Sequence, residues 1–157
     1  MPATRLKEFL DANQVKYVAI THSVAYTSQE IAQSVHLPGH RLAKTVMVKI
    51  DGKMAMAVLP ATQKVSVDTL EHATGAQRIE LASEREFQNR FPECELGAMP
   101  PFGNLYGMDV YASPSLPKPE IAFNAGTHTE VIRMSYADWE RLVQPRIVEL
   151  SRQPLPV

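Results

Sequence analysis

Two apolar segments on either side of Asp51 and Gly52 constrain the fold more than any other part of this sequence. Residues 45–50 and 54–59 flank this pair, and Asp-Gly is a preferred sequence for the two-residue turn of a β-hairpin. Because most residues of both segments are apolar, neither face of the hairpin suits water. The pattern therefore predicts a hairpin in the middle of a sheet, covered on both faces.

Helix-capping sequences are interspersed with further apolar segments. Ser66 and Ser135 are placed as N-caps, and Thr27 and Ser83 each begin a capping box. A first helix is predicted from Thr4 to about residue 13, and further strands at 15–21, 77–81, 105–111, 121–123 and 129–134. More of the predicted strands are separated by the short connections of hairpins than by a helix between two strands. This order predicts an α+β class with a mostly antiparallel or mixed sheet surrounded by helices.

Size and composition indicate one globular domain. The chain has 157 residues, 45% of them hydrophobic and 21% charged, which suffices for a sizeable core. We expect a single domain over residues 1–150 and a flexible tail at 151–157. The net charge of −1 excludes a global basic field, so contact with a polyanion requires a local patch. No segment has the length of a membrane span and the N-terminus lacks a signal-peptide core, so the cytoplasm is the expected location.

Several catalytic and metal-binding patterns are missing from the sequence. The single cysteine, Cys94, excludes an internal disulfide, and its two glutamate neighbours disfavour a thiolate nucleophile. His36 and His40 have helical spacing, but Pro38-Gly39 between them destroys that geometry. The sequence therefore indicates neither a dedicated metal site nor a cofactor-binding loop.

Residues 97–103 form the most unusual segment, with Gly97 and Gly103 bracketing Pro100 and Pro101. Two prolines rule out a helix or a central strand and stiffen the backbone. Such a loop is either a structural turn that joins a helix to a strand, or a rigid support that positions a reacting ester through backbone groups. The spacing alone leaves both interpretations open.

A cation stands at the start of the first hairpin strand. Lys44 is either solvated at the sheet margin or directed toward a phosphate or carbonyl oxygen. Asp51 is the only acidic residue expected to oppose the local basic residues, which are Arg41, Lys44, Lys49, Lys53 and Lys64. His128, at the entry to a strand after Gly126-Thr127, is either an ordinary, partly exposed histidine or a residue that lines a pocket. The methionines of the strands are expected to fill the core.

Three segments together resemble the YbaK family, the free-standing relatives of the editing domain inserted in bacterial prolyl-tRNA synthetases. They are Arg-Leu-Ala-Lys-Thr at 41–45, Gly-x-x-x-Pro-Phe-Gly at 97–103, and Phe-Asn-Ala-Gly at 123–126 followed by a strand. Their order and spacing cover nearly the whole chain, from about residue 4 to 145. Each motif is short, so the specificity comes from their combination.

The resemblance implies a curved, partly barrel-like sheet and hydrolysis of the ester that joins a wrong, small amino acid to the 3′ end of a tRNA. It implies that Lys44, Gly97 and Pro101 are the catalytic residues, with Lys44 by the terminal adenosine and its phosphate and the loop 97–101 in backbone contact with the aminoacyl ester. Substrate contacts are expected from a further set, Arg41, Thr45, Met99, Pro100, Phe102, Gly103, Gly126 and His128. The implied partners are the acceptor end of aminoacyl-tRNA and, as a second candidate, an aminoacyl-tRNA synthetase, with neither a metal nor another cofactor.

Pro100 is a departure from the family pattern, because many free-standing members have a hydroxyl residue there. The proline removes a possible donor and stiffens the loop. It favours the alternative function, a catalytically inactive module that binds tRNA 3′ ends or a protein through the same pocket.

Overall fold

The hairpin forms the centre of a five-stranded sheet. In a computed structural model, which describes residues 4–21, 42–92, 94–95 and 97–151, strands β2 (Ala43–Ile50) and β3 (Lys53–Pro60) pair antiparallel along their full length. Both turn residues have positive φ, 49° at Asp51 and 86° at Gly52, as the tight hairpin turn requires. The outer strands are β4 (Ile79–Leu81), β5 (Asp109–Ala112) and β8 (Arg146–Ile147), in the order β4-β2-β3-β5-β8.

The sheet is mixed, and apolar side chains cover both of its faces. β5 runs parallel to β3 and to β8, whereas β4 runs antiparallel to β2. Met47, Met56 and Val58 lie in a first core cluster on one face, and Val48 and Leu59 in a second cluster on the other. The predicted central hairpin, and the prediction that its methionines fill the core, are both confirmed.

A second sheet is antiparallel and has three strands. It contains β1 (Tyr17–Thr21), β6 (Glu120–Asn124) and β7 (Glu130–Ser135), in the order β1-β7-β6. One parallel bridge, between Leu42 and Ala122, connects the start of the hairpin to β6. This bridge sets the relative position of the two sheets beside Lys44.

Four helices are present in the part of the chain that the structure describes, and three of them have the capping residues predicted from the sequence. Helices α1 (Thr4–Ala12), α2 (Val67–Thr74), α3 (Glu84–Phe87) and α4 (Tyr136–Val143) are present. The hydroxyls of Ser66, Ser83 and Ser135 each accept a backbone N–H in the first turn, and Ser83 forms the full capping box with Glu86. The α+β class is therefore confirmed. No helix among the described residues is long and apolar enough to cross a membrane.

The segment after the proline loop differs from its prediction. Residues 105–111 were expected to form one strand, but Gly103–Leu105 is a 3₁₀ turn and β5 begins only at Asp109. The chain reverses here because the Met108 amide donates to the Gly103 carbonyl at 2.9 Å and Gly107 has a φ of 68°. The exposed two-residue strand β8 had no signal in the sequence.

Three expectations fall wholly or partly outside the described residues. The helix expected to begin at the Thr27 capping box lies outside them, as do Arg41 and residues 152–157 of the expected tail. At the last described positions, Leu150 is fully buried and Ser151 is 7% exposed. The Leu150 carbonyl accepts a hydrogen bond from the Ser66 amide at 2.7 Å, so packing reaches the first residue of that predicted tail.

Candidate active site

Lys44 lies near the start of β2, where it pairs with Leu59 of β3. Its side chain is half-buried, and it forms no ion pair with a described residue. Burial, and then repulsion from Lys64, lower the pKa of the Lys44 ammonium below its ordinary value of 10.5. An anion beside Lys44 would offset both effects, so the position suits a phosphate.

The other lysines of the hairpin have carboxylate partners. Lys49 pairs with Glu80 at 3.4 Å and, more closely, with Glu86, and Lys53 pairs with Asp109 at 3.5 Å. The expectation that Asp51 alone opposes this basic group was therefore wrong, because α3, β4 and β5 bring acidic residues that are distant in sequence. Asp51 itself accepts the Gln77 and Arg78 amides at 3.0 and 2.8 Å.

Hydrogen bonds at both prolines fix the loop. The Pro100 carbonyl accepts the Phe102 amide at 2.8 Å, and the Pro101 carbonyl accepts the indole N–H of Trp139 on α4 at 3.0 Å. Both prolines are buried. Trp139 is 0% exposed, so the second bond lies in the core, where exchange with water is excluded. The loop is therefore anchored to the helix behind it.

A pair of backbone hydrogen bonds joins the loop to the β6–β7 connection. The Glu95 amide donates to the Gly126 carbonyl at 2.8 Å, and the Gly126 amide donates to the Ala98 carbonyl at 2.9 Å. Gly126 has a φ of 94°, which glycine adopts at little cost. These bonds bring two sequence motifs, separated by more than twenty residues, into direct contact.

His128 lies beside the exposed backbone of Gly97. A Cβ atom added at Gly97 would be 3.5 Å from Cε1 of His128. The His128 amide donates to Oε2 of Glu95 at 3.4 Å, and its Nε2 is 3.9 Å from the same oxygen. His128 is 8% exposed, so it is more buried than an ordinary surface histidine. The structure thus brings Gly97, Gly126 and His128 together.

The remaining loop side chains point into the core. Met99 is 4% exposed and Phe102 is 0% exposed, with Phe102 packed edge-on against Phe9 and Phe123. A Cβ on Gly103 would lie 2.5 Å from the Met108 carbonyl oxygen. Substrate contacts from Met99, Phe102 and Gly103 therefore stay predictions. Because their side chains point into the core, such contacts would come from their backbone atoms.

Backbone amides of the loop supply candidate donors. Among the described residues, the Gly97 amide donates only to the Met99 sulfur, at 3.3 Å, which is a weak acceptor. The Met99 amide donates to no acceptor among the described residues. Amides that lack a strong acceptor, one of them beside His128, are suited to stabilising an oxyanion that forms on a bound ester.

Strand β6 links Lys44 to this loop. Leu42 and Ala122 form the parallel bridge. Two residues further along each segment, Lys44 near the start of β2 and Asn124 at the end of β6 therefore have their side chains on the same face as Leu42 and Ala122. Asn124 is followed by the connection that holds Gly126. This order of contacts supports one site. That Lys44 and the loop open into one shared cavity stays a prediction, as does any substrate contact from half-buried Thr45.

Comparison with known proteins identifies the family. The model of the aminoacyl-tRNA editing domain matches residues 22–142. The chain belongs to this family. The editing domain is 28% identical, over 94% of its length and 92% of the relative's, to the multifunctional Ser/Thr-tRNA deacylase ProXp-y of Escherichia coli strain K12.

Solved structures share the fold. The editing domain superposes with a TM-score of 0.82 on a protein provisionally assigned as a trans-editing enzyme for prolyl tRNA synthetase, at 18% identity and over 97% and 98% of the two chains. It superposes with a TM-score of 0.84 on the hypothetical protein APE2540, at 14% identity and over 94% and 99%. At these identities the likeness concerns the fold alone.

Three contributors to the site were not identified from the sequence. Trp139 carried no prediction, Glu95 was considered only as a neighbour of Cys94, and Asn124 only as part of the motif at 123–126. Neither the Trp139–Pro101 hydrogen bond nor the Glu95–Gly126 bond has a local signal, since each joins residues more than thirty positions apart. The polar Asn124 at the end of an apolar strand was the one available hint.

Proposed function

We propose that this editing domain hydrolyses the ester bond of tRNA mischarged with a small amino acid, with serine and threonine first among the candidates. The observation that best supports this is the pair of hydrogen bonds between Gly126 and the loop, at 2.8 and 2.9 Å, which hold His128 beside the Gly97 backbone. The family match and the name of the E. coli relative supply the substrate class.

The proposed reaction needs little acid–base machinery. A water molecule attacks the ester carbonyl carbon, and the amides of Gly97 and Met99 stabilise the negative charge that develops on its oxygen. The bond between this carbon and the ribose oxygen then breaks. The attacking water gives up both of its protons: one reaches the departing ribose oxygen through the neighbouring 2′-hydroxyl of the terminal ribose, and the other passes to solvent as the amino acid leaves as a carboxylate. An aminoacyl ester is already activated, so positioning supplies much of the acceleration.

Lys44 is assigned to binding of the tRNA terminus. Its half-buried ammonium lacks a carboxylate partner among the described residues, unlike Lys49 and Lys53. A phosphate near the terminal adenosine would supply the missing negative charge and would place the ester over the loop. A prolyl-tRNA synthetase that works beside the domain is a further proposed partner, suggested by the assignment of the structural neighbour.

The test is a deacylation panel with Lys44→Ala and a matched control. Purified protein is incubated with tRNAs that carry serine, threonine, alanine, cysteine or proline, and loss of the charged form is followed. We expect release of at least one small amino acid, and a decrease in kcat/KM on the order of 100-fold in Lys44→Ala. Lys53→Ala removes the same charge from an exposed position and should stay near the wild-type rate.

Two results would contradict the proposal. Tight binding of aminoacyl-tRNA without any release, across the whole panel, would favour the inactive binding module that Pro100 suggests. If a folded Lys44→Ala variant released amino acids at the wild-type rate, Lys44 would not belong to the site, even though the protein is a deacylase.

A further inference from the structure

Asn124, the last residue of β6, has a buried side chain with an unused acceptor. The residue is 7% exposed, and its carbonyl oxygen Oδ1 is fully buried without a hydrogen-bond partner among the described residues. Buried side-chain carbonyls nearly always accept a hydrogen bond, because losing water without replacement destabilises the fold. An exception beside a candidate active site indicates an acceptor reserved for a ligand.

The strand pattern shows which way Asn124 points. Phe123 and Ala125, on either side of it, both belong to the first core cluster. Side chains alternate along a strand, so Asn124 points to the opposite face of the sheet. Lys44 lies on this face by the register of the Leu42–Ala122 bridge.

Apart from Lys44, the neighbours of Asn124 on that face have apolar side chains. Its cross-strand neighbour is Val131, which pairs in turn with Ile20. Leu42, Ala122 and Val131 are buried, yet in the described part of the chain they belong to neither core cluster. These side chains offer no hydrogen-bond donor to Oδ1, but they suit contact with a methyl or methylene group.

We propose that Oδ1 of Asn124 accepts a hydrogen bond from the side-chain hydroxyl of serine or threonine on the bound tRNA, and so selects for hydroxyl amino acids. This inference rests on the proposed deacylase function. A hydroxyl needs only one neutral acceptor, whereas the α-ammonium group would lose its hydration on an apolar face with a single carbonyl in return. The ribose hydroxyl stays nearer to Lys44, whose side chain is less buried than that of Asn124.

The proposal predicts a strong preference between two nearly isosteric substrates. Serine and alanine differ by one hydroxyl group. A site with a buried acceptor discriminates against the analogue without the donor, because the acceptor is then left unpaired. We therefore expect wild-type kcat/KM for seryl-tRNA to exceed that for alanyl-tRNA by about 10- to 100-fold on the same tRNA body.

The experiment measures this serine-to-alanine ratio in Asn124→Leu and Asn124→Ala. Leucine matches asparagine in size and removes both polar atoms, and alanine serves if leucine prevents folding. Because both substrates are tested on one preparation, the ratio does not depend on the fraction of protein that is folded. The matched control is Asn89→Leu, at an exposed residue of the 3₁₀ turn Gln88–Arg90, which should keep the wild-type ratio.

The expected result is a fall of the ratio to within about threefold of unity in both Asn124 variants. A wild-type-like ratio in either folded variant would overturn the role of Asn124 while leaving the deacylase function intact. A wild-type ratio near one would overturn it as well. Release of neither serine nor threonine would overturn this inference. Failure to release any amino acid of the panel would overturn the proposed function itself, and this inference with it.

Discussion

The hydrogen bond between Trp139 and the Pro101 carbonyl gives a sharp test of how the loop is held. The indole N–H is 3.0 Å from the carbonyl oxygen, in a fully buried environment. Trp139→Phe keeps an aromatic ring on α4 but removes the donor. The carbonyl of Pro101 is then left in the core without a partner.

The expected cost follows from the two changes at this position. An unsatisfied buried carbonyl costs about 1–3 kcal/mol, and the space left by the smaller ring adds about 1–2 kcal/mol. We therefore expect the free energy of unfolding to fall by about 2–5 kcal/mol. Because Pro101 loses its anchor, kcat/KM for deacylation should also fall, even where the variant is fully folded.

The assay combines urea unfolding with deacylation rates. Trp139 is the only tryptophan, so unfolding is followed by far-ultraviolet circular dichroism instead of fluorescence. Leu70→Ala is the matched control, since Leu70 is fully buried in the second core cluster and its truncation costs about 2–5 kcal/mol. The anchoring role would be refuted if Trp139→Phe lowered the free energy of unfolding by less than about 1 kcal/mol. It would also be refuted if Trp139→Phe and Leu70→Ala had equal kcat/KM, since the loss of activity would then follow from lower stability alone.

Two further predictions concern stability and pH. Gly103→Ala places a Cβ 2.5 Å from the backbone oxygen of Met108, so the free energy of unfolding should fall by about 1–3 kcal/mol, and an unchanged urea midpoint would contradict this steric argument. Burial and Lys64 lower the pKa of Lys44 below 10.5. Binding is measured with an aminoacyl-tRNA analogue that has an amide in place of the ester, and it should weaken as pH rises through this lowered pKa, because Lys44 then loses its positive charge. Lys64→Gln removes the repulsion and should move this midpoint upward; a midpoint that stays or moves downward would refute the coupling.

Local chemistry explains which elements could be predicted from the sequence. The Asp51–Gly52 turn, and the helices that begin after Ser66, Ser83 and Ser135, depend on residues within a few positions of each other. Such signals do not require knowledge of the rest of the chain. The predicted strand at 105–111 was wrong because residues 103–108 form a backbone turn, closed by the hydrogen bond from the Met108 amide to the Gly103 carbonyl, and the apolar periodicity does not reveal this turn.

The charges near the candidate site show the same limit. Lys49 and Lys53 could be identified as cations, but their partners Glu80, Glu86 and Asp109 come from other strands and a helix. Only the folded chain therefore distinguishes Lys44, which has no carboxylate partner among the described residues, from its neighbours.

The sequence by itself determined the α+β class, the central hairpin, the stiff proline loop and the family resemblance, because each depends on residue types at short spacing. Tertiary structure decided how these parts meet. It anchored Pro101 to Trp139, joined Gly126 to the loop, and left the carbonyl of Asn124 buried on the face that holds Lys44. The physical reason is that hydrogen-bond satisfaction and desolvation are properties of contacts between distant segments, which exist only after the sheets and helices have packed.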